Sequence, residues 1–226
     1  MIFDRLNLKN SVLILLVIVT CHSFAKANYR DCAAFDLVQQ NKQKDSFILE
    51  NKYVIVNKDK TVNAIGNDSS ISERVIVALT DVRIKSTKGK IKLHRGETAV
   101  FQYAESYEIK KGEYFEISIK KNHPKPMKPK VWYEPTKNKS VFENEDFRIF
   151  KEQLGAGEER AFHSHLERLV VRLNRVQLTD PRFYPNGQEG VGIQEPNTVK
   201  FAEPVEHVVK NLGKIPLFNI VLEFKP

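Results

Sequence analysis

Two imidazoles at i and i+2, His163 and His165 in Gly157-Glu-Glu-Arg-Ala-Phe-His163-Ser-His165, are the side chains of this sequence best placed to do chemistry. On a β-strand, residues two apart point to one face with Cα atoms about 6.6 Å apart, so two ring nitrogens can converge on one ion at about 2.0–2.1 Å. A third imidazole, His207, opens the segment His207-Val-Val-Lys-Asn211. If the sheet closes as a barrel, a strand so near the C-terminus can lie opposite the His163 strand. No serine nucleophile elbow, phosphate loop, cysteine pair or paired-carboxylate arrangement offers a rival chemistry. His94, in a Lys-rich stretch, and His123, among prolines, are expected at the surface.

The elements that must position these side chains are strands. Arg74–Thr80, Val82–Lys85, Glu97–Phe101 and Tyr114–Ile119 are short apolar segments with period-two character, punctuated by Gly, Asn and Asp. Only Asp31–Gln43 carries anything like a helical stripe, so the expected class is mainly β. The segments repeat. Glu73-Arg74-Val-Ile-Val-Ala-Leu79 matches Glu167-Arg168-Leu-Val-Val-Arg-Leu173 at an offset of about 94 residues. Further on, Phe101–Tyr107 aligns with Phe201–His207, and Gly112–Lys120 with the segment from Gly213. Between the copies lies a linker rich in Pro and Lys, residues 122–131, which favours an extended spacer. Copy one then spans residues 45–121 and copy two residues 132–226, each of a size that closes into a small barrel. Under this alignment Ser69, Ile71 and Tyr107 stand where copy two has its three histidines, so copy one reads as scaffold.

Copy two resembles the cupin superfamily. The first motif of that family, a glycine, five residues, then His-x-His, fits Gly157 to His165 in spacing, and the second is partly kept in Pro204-Val-Glu-His207-Val-Val-Lys-Asn211. The resemblance implies two tandem cupin-type barrels of the double-stranded β-helix or jelly-roll kind, with a metal held by His163, His165 and His207 in the second. Two departures stand out. The family's carboxylate ligand falls at Leu169 or Val170, both apolar, and Ala202 and Pro204 replace the proline and glycine of the second motif. Glu167 matches Glu73 of the copy without histidines and therefore reads as structural, pairing with an arginine. The remaining three-histidine set suits iron, zinc, copper or nickel without discriminating among them. Among cupins it is similar to the iron centres of thiol dioxygenases, for which Arg182 and Tyr184 are candidate neighbours of the ion.

Export is expected from the N-terminus. Arg5 and Lys9 precede the apolar run Ser11–Thr20, too short for a transmembrane helix, and Ala25 and Ala27 suit signal-peptidase cleavage before Asn28. Residues 1–27 are then a signal peptide, and residues 28–44 an N-terminal segment of a mature chain of about 199 residues, periplasmic or extracellular. A competing reading makes Cys21 a lipidated cysteine, but Thr20 suits that poorly. Cleavage leaves Cys32 alone, so no intramolecular disulfide stabilises the mature chain. The formal charge of +8 comes from scattered lysines with no recognisable nucleic-acid module, so nucleic acid is not an expected partner. Three functions stay open: a noncatalytic metal-binding protein with a small-molecule ligand in the barrel mouth, an iron-dependent oxygenase on the same three ligands, and a metal-free binding or interaction module. The oligomeric state is not legible.

Overall fold

The computed structural model describes residues 46–59, 69–127, 138–180 and 190–226. The proposed signal peptide, the segment 28–44 with Cys32, Cys21, and the candidates Arg182 and Tyr184 lie outside the described residues. The described chain is mainly strand, with almost no helix. Copy one supplies β1 (Phe47–Glu50), β2 (Val54–Lys58), β3 (Ile71–Ala78), β4 (Val82–Ser86), β5 (Gly89–Leu93), β6 (Thr98–Gln102), β7 (Tyr107–Lys111) and β8 (Tyr114–Lys120). Copy two supplies β9 (Asn138–Glu143), β10 (Phe147–Leu154), β11 (Glu159–His165), β12 (Arg168–Arg172), β13 (Val176–Asp180), β14 (Gly190–Gln194), β15 (Thr198–Ala202), β16 (Val205–Lys210) and β17 (Leu217–Phe224). Among the described residues no helix is long and apolar enough to cross a membrane.

The repeat read from the sequence is a repeat of topology. One five-stranded sheet runs β1-β2-β8-β3-β6 and the other β9-β10-β17-β12-β15, the same order with each strand replaced by its counterpart. The turn that opens β2 and β10 is also repeated. Asn51 Oδ1 accepts from the backbone N–H of Tyr53 and Val54 at 2.8 and 3.0 Å, and Asn144 Oδ1 accepts from those of Asp146 and Phe147 at 2.9 Å each. A short polar side chain that satisfies two amides stabilises a tight entry into a strand.

Strand registers correct the sequence alignment at the C-terminal end of each copy. Val75 pairs with Ile117, and its counterpart Leu169 with Leu222, so Ile117 corresponds to Leu222. The Gly112–Gly213 match therefore misplaces the last strand, because the turns before it differ in length. Likewise Val75 pairs with Val100 and Leu169 with Phe201, so Phe201 answers to Val100 rather than Phe101. A shift of one residue exchanges the two faces of a strand, so this difference decides what each side chain meets.

Alternation along the central strands sorts side chains into two environments. Val75, Val77, Phe115, Ile117 and Ile119 of copy one pack in one cluster with Phe147, Ile149, Leu169, Val171, Ile220, Leu222 and Phe224 of copy two. The two large sheets thus share a core. The opposite face of β3 and β8, with Ile76, Ala78 and Tyr114, packs with Val82, Ile84, Leu93, Phe101 and Tyr107 in an apolar interior belonging to copy one. The matching side of copy two buries many polar groups, Arg160, His163, His165, Arg168, Gln194, Asn219 and Glu223, beside a smaller apolar cluster of Leu154, Val176, Val209 and Leu217. The copies have the same scaffold and different interiors: copy one's is mainly apolar with Arg74, Glu116 and Ser118 buried beside it, and copy two's is richer in buried polar groups.

The Glu-Arg pair that revealed the repeat has a structural role in both copies, though not the expected one. Glu167 pairs with Lys52 at 2.9 Å and accepts from the Tyr53 hydroxyl, both across the copies, instead of pairing with an arginine. Glu73 correspondingly meets Asn144 of copy two at 3.4 Å. The arginines tie down the loop after β6 or β15: Arg74 donates to the Glu105 carbonyl at 2.7 Å and Arg168 to that of Glu203 at 2.9 Å. His94 is exposed, with Nδ1 at 3.1 Å from Asp81. His123, expected at the surface, is instead half-buried, its ring 5.3 Å from that of Tyr53 and 5.1 Å from that of Phe224. An imidazole has enough apolar surface to cover the edge of an aromatic core.

Candidate metal centre

The histidine pair lies on β11, whose partner is β16, with His163 directly opposite His207. Directly opposed residues of an antiparallel pair face the same side, so all three imidazoles share one face. Ring centroids are 4.8 Å apart for His163 and His165, 4.6 Å for His163 and His207, and 5.6 Å for His165 and His207. One ring nitrogen from each can be chosen so that all lie within 4.8 Å of one another.

A bulge in β11 adds a fourth group. Arg160 pairs with Val209 but His163 with His207, so Ala161 and Phe162 together oppose Val208. Simple alternation would turn Arg160 away from the histidines. The extra residue reverses it, and Arg160 is buried on their side, held by Asn138 at 3.0 Å, Glu152 at 3.2 Å and the Gln153 carbonyl at 3.0 Å. Gly157, at φ 72° in the turn before β11, occupies the left-handed region that explains glycine at that place in the motif.

The hydrogen bonds of the rings indicate which nitrogens face inward. His163 Nδ1 is 2.8 Å from the Ala161 carbonyl, which fixes the proton on Nδ1 and leaves the Nε2 lone pair free. His165 Nδ1 is 3.3 Å from Glu223 Oε1, which favours the same tautomer. The two Nε2 atoms are 3.1 Å apart. A shared tetrahedral ion at about 2.0–2.1 Å from each nitrogen sets them about 3.3 Å apart, so the spacing fits a common cation. Among the described residues, both ring nitrogens of His207 are buried without a hydrogen-bond partner. Buried polar atoms in folded proteins are nearly always satisfied, so an orphaned imidazole beside two inward lone pairs is what a missing ligand would leave.

Carboxylates lie behind the triad, which the sequence reading missed. Glu223, fully buried on β17, accepts from the Leu166 amide at 2.9 Å and from Arg148 Nε at 2.8 Å besides its contact with His165. Burial pushes its carboxyl up, but His165, Arg148 and the Leu166 amide outweigh burial and hold it below the usual carboxylate range. Glu152 is likewise held below that range, with His165, Arg160 and Asn219 outweighing burial. Carboxylate–histidine pairs of this kind orient a metal-binding imidazole and raise its basicity. The detectable signal was the alternation in Leu217–Phe224, where Asn219 and Glu223 interrupt one face of an otherwise apolar strand. Asn211, matched to the second motif, is fully buried and serves the fold: its amide donates to the Ile215 carbonyl at 2.8 Å and its oxygen accepts from Gly213 at 2.9 Å. Leu169 is buried in the shared core and Val170 lines a cavity, so neither replaces the family's carboxylate. In copy one Ser69 is exposed, Ile71 is apolar, and the Tyr107 hydroxyl donates to Glu116 at 2.8 Å.

Burial lowers His163 to about 4, and burial with the neighbouring His163 and His165 lowers His207 to about 3. Both folded values lie below the 6.5 of a free imidazole, so between pH 6.5 and 4 the unfolded chain binds protons that the folded site refuses. The metal-free protein is therefore expected to lose on the order of 2 kcal/mol from pH 7 to 5.5 through these two groups. Urea denaturation at both pH values checks this, and a His163→Gln, His207→Gln protein should show less of the loss. An equal loss in that variant would assign the effect elsewhere.

No protein-family model matches the chain, and no curated protein sequence matches it. Solved structures do. A cupin 2 conserved barrel domain protein from Leptotrichia buccalis superposes with a TM-score of 0.51 at 14% identity, covering 79% of this chain and 87% of that one. A conserved protein of unknown function from Pseudomonas aeruginosa PAO1 superposes with a TM-score of 0.50 at 10% identity, covering 79% and 86%. At such identities the likeness concerns the backbone alone. Strand order, the repeated sheets and these superpositions agree that the chain has the cupin fold.

Proposed function

We propose that this chain is an exported metal-binding cupin, in which copy two holds a divalent ion through His163, His165 and His207 and receives a small molecule at the barrel mouth. The observation that carries the reading is the set of three clustered imidazoles, two with Nε2 turned inward and the third with no partner at either nitrogen among the described residues. A bound divalent ion would act as a Lewis acid toward an oxygen or sulfur ligand. The protein's part is orientation: the Ala161 carbonyl and Glu223 set two tautomers, and Arg160 and Glu152 keep the surrounding charge balanced. Copy one, residues 45–121, serves as scaffold in this reading. Export, to the periplasm or beyond the cell, is supported by Arg5, Lys9, the run Ser11–Thr20 and the alanines at 25 and 27.

Elemental analysis of protein purified from its native compartment tests the centre. The wild type should carry about one equivalent of iron, zinc, copper or nickel, and a His163→Ala, His207→Ala protein less than about a tenth of that. Equal metal content in the two would sink the reading.

A second reading, an iron-dependent oxygenase on the same ligands, is favoured by a cavity of about 410 Å3 that reaches His207 and would admit a substrate beside the ion. Oxygen uptake by iron-loaded protein on addition of a small thiol separates it from the first.

A further inference from the structure

We propose that the outer face of the small sheet β5-β4-β7 of copy one is a docking surface for an anionic phospholipid bilayer, bound through Arg83, Lys85, Lys90, Lys92 and Lys111. This surface lies outside the metal centre and does not depend on it. Scattered along the sequence, its cations are gathered by the strand ladders. Arg83 on β4 pairs with Lys92 on β5 and with Lys111 on β7, and Lys85 pairs with Lys90. Directly opposed residues of an antiparallel pair stand on the same face. All five are exposed, while Val82, Ile84 and Leu93 turn into the apolar interior. Neighbouring strands are about 4.8 Å apart and successive residues of one face about 6.6 Å, so the cations form a plane rather than a pocket.

The carboxylates bordering this plane are engaged. Glu108 stands opposite Lys85 but pairs with Lys110 at 2.5 Å, and Glu105 pairs with Lys88. Asp81 pairs with His94 at 3.1 Å, and His94, then Lys92 and Lys111, hold its carboxyl below the usual range. Among the described residues Arg83, Lys85 and Lys90 form no ion pair. The face therefore keeps an excess of positive charge, which attracts an anionic surface over about a Debye length.

The fold does not ask for these charges. Like charges set directly opposite each other weaken a ladder, and Arg83 with Lys92, Arg83 with Lys111 and Lys85 with Lys90 are all such pairs. Lysines on edge strands discourage aggregation, which accounts for Lys90, Lys92 and Lys111 on the outer strands but not for Arg83 and Lys85 on the central one. Copy two builds the matching hairpin without them. Val82 pairs with Leu93 and its counterpart Val176 with Gln194, so Gln177, Val191 and Ile193 take the places of Arg83, Lys90 and Lys92. The plane itself selects the partner. Four of the five cations are lysines, point charges on flexible stems that follow many headgroups instead of gripping one. No aromatic side chain stands in the paired rows to stack on a base, as a single-stranded nucleic acid requires. Clusters of about four to eight Lys and Arg are of the size that anionic lipid surfaces attract. The proposed export also carries the chain past membrane surfaces.

Co-sedimentation of the purified chain with vesicles of phosphatidylcholine alone, and of phosphatidylcholine with about one third phosphatidylglycerol, tests the proposal. The chain should bind the anionic vesicles and not the neutral ones, and come off as NaCl rises to about 0.5 M. Each cation near an anionic surface contributes about fivefold, so Arg83→Gln, Lys90→Gln, Lys92→Gln together should weaken binding about 100-fold. Melting of that variant should be no lower than that of the wild type, because repulsion across the ladder is relieved. Lys85→Arg, Lys90→Arg, Lys92→Arg, which keeps every charge, should bind like the wild type. Neutralising Lys139, Lys151 and Lys214, outside this sheet, should change binding by less than about threefold. Should the first triple variant not fold, Lys90→Gln alone decides through its loss of about fivefold. Absence of binding, equal binding to both kinds of vesicle, or equal losses in the two charge-neutral triple variants would overturn the proposal. So would tighter binding to duplex DNA than to anionic vesicles at matched phosphate concentration and salt.

Discussion

Replacing Glu223 with alanine is expected to destabilise the protein by about 3–5 kcal/mol, the range for breaking a buried ion pair from one side. The carboxylate is fully buried and serves three donors on different elements: Arg148 on β10 at 2.6 Å, the Leu166 amide before β12 at 2.9 Å, and His165 on β11 at 3.3 Å. Alanine leaves the buried Leu166 N–H without its acceptor and removes the negative charge facing Arg148. For a chain of this size such a loss lowers Tm on the order of 10 °C. Glu223→Gln keeps the shape but not the charge, and should cost less stability, about 1–3 kcal/mol. Both variants should weaken metal binding by about 10–100-fold, because His165 loses the partner that fixes its Nδ1 proton. Calorimetric melting and competitive zinc titration measure the two effects. A Glu223→Gln protein with wild-type zinc affinity would show that the carboxylate is part of the scaffold only.

Phe224→Ala, one residue away, is expected to destabilise as much with the opposite functional signature. Phe224 is fully buried and stacks on Tyr53 of copy one at 4.3 Å between centroids, in the core shared by both sheets. Truncating a phenylalanine in such a core costs about 3–5 kcal/mol through lost burial and the cavity left behind. Successive residues of a strand point to opposite faces, so the histidine side of β17 is untouched. Zinc stoichiometry and affinity at 10 °C, well below the lowered Tm, should match the wild type. A Tm fall of under about 3 °C would contradict a single core holding the two copies together. A loss of zinc affinity without unfolding would contradict the separation of faces.

The contrast between these neighbours shows where sequence reading reaches its limit. β17 is buried on both sides, so Leu217–Phe224 is nearly continuous in apolar residues and its period is faint. The two exceptions, Asn219 and Glu223, mark the polar interior only after the register with β10 and β12 shows what they face. The same ambiguity allowed the glycine match to slide the last strand of copy one against that of copy two, since either setting aligns apolar residues with apolar residues.

By itself the sequence determined the strand-rich class, the duplication and the pairing of His163 with His165, because each depends on contacts within a few residues or on direct self-similarity. It also marked His207 as the third imidazole through the order of the two motifs. Tertiary structure decided the rest. The ladder between β11 and β16 sets His207 opposite His163, and the bulge at Ala161 and Phe162 turns Arg160 to their side. Glu223, 58 positions from His165, becomes its partner only when β17 closes the sheet. These are long-range pairings, set by which strands lie side by side, and no local pattern of residues encodes them.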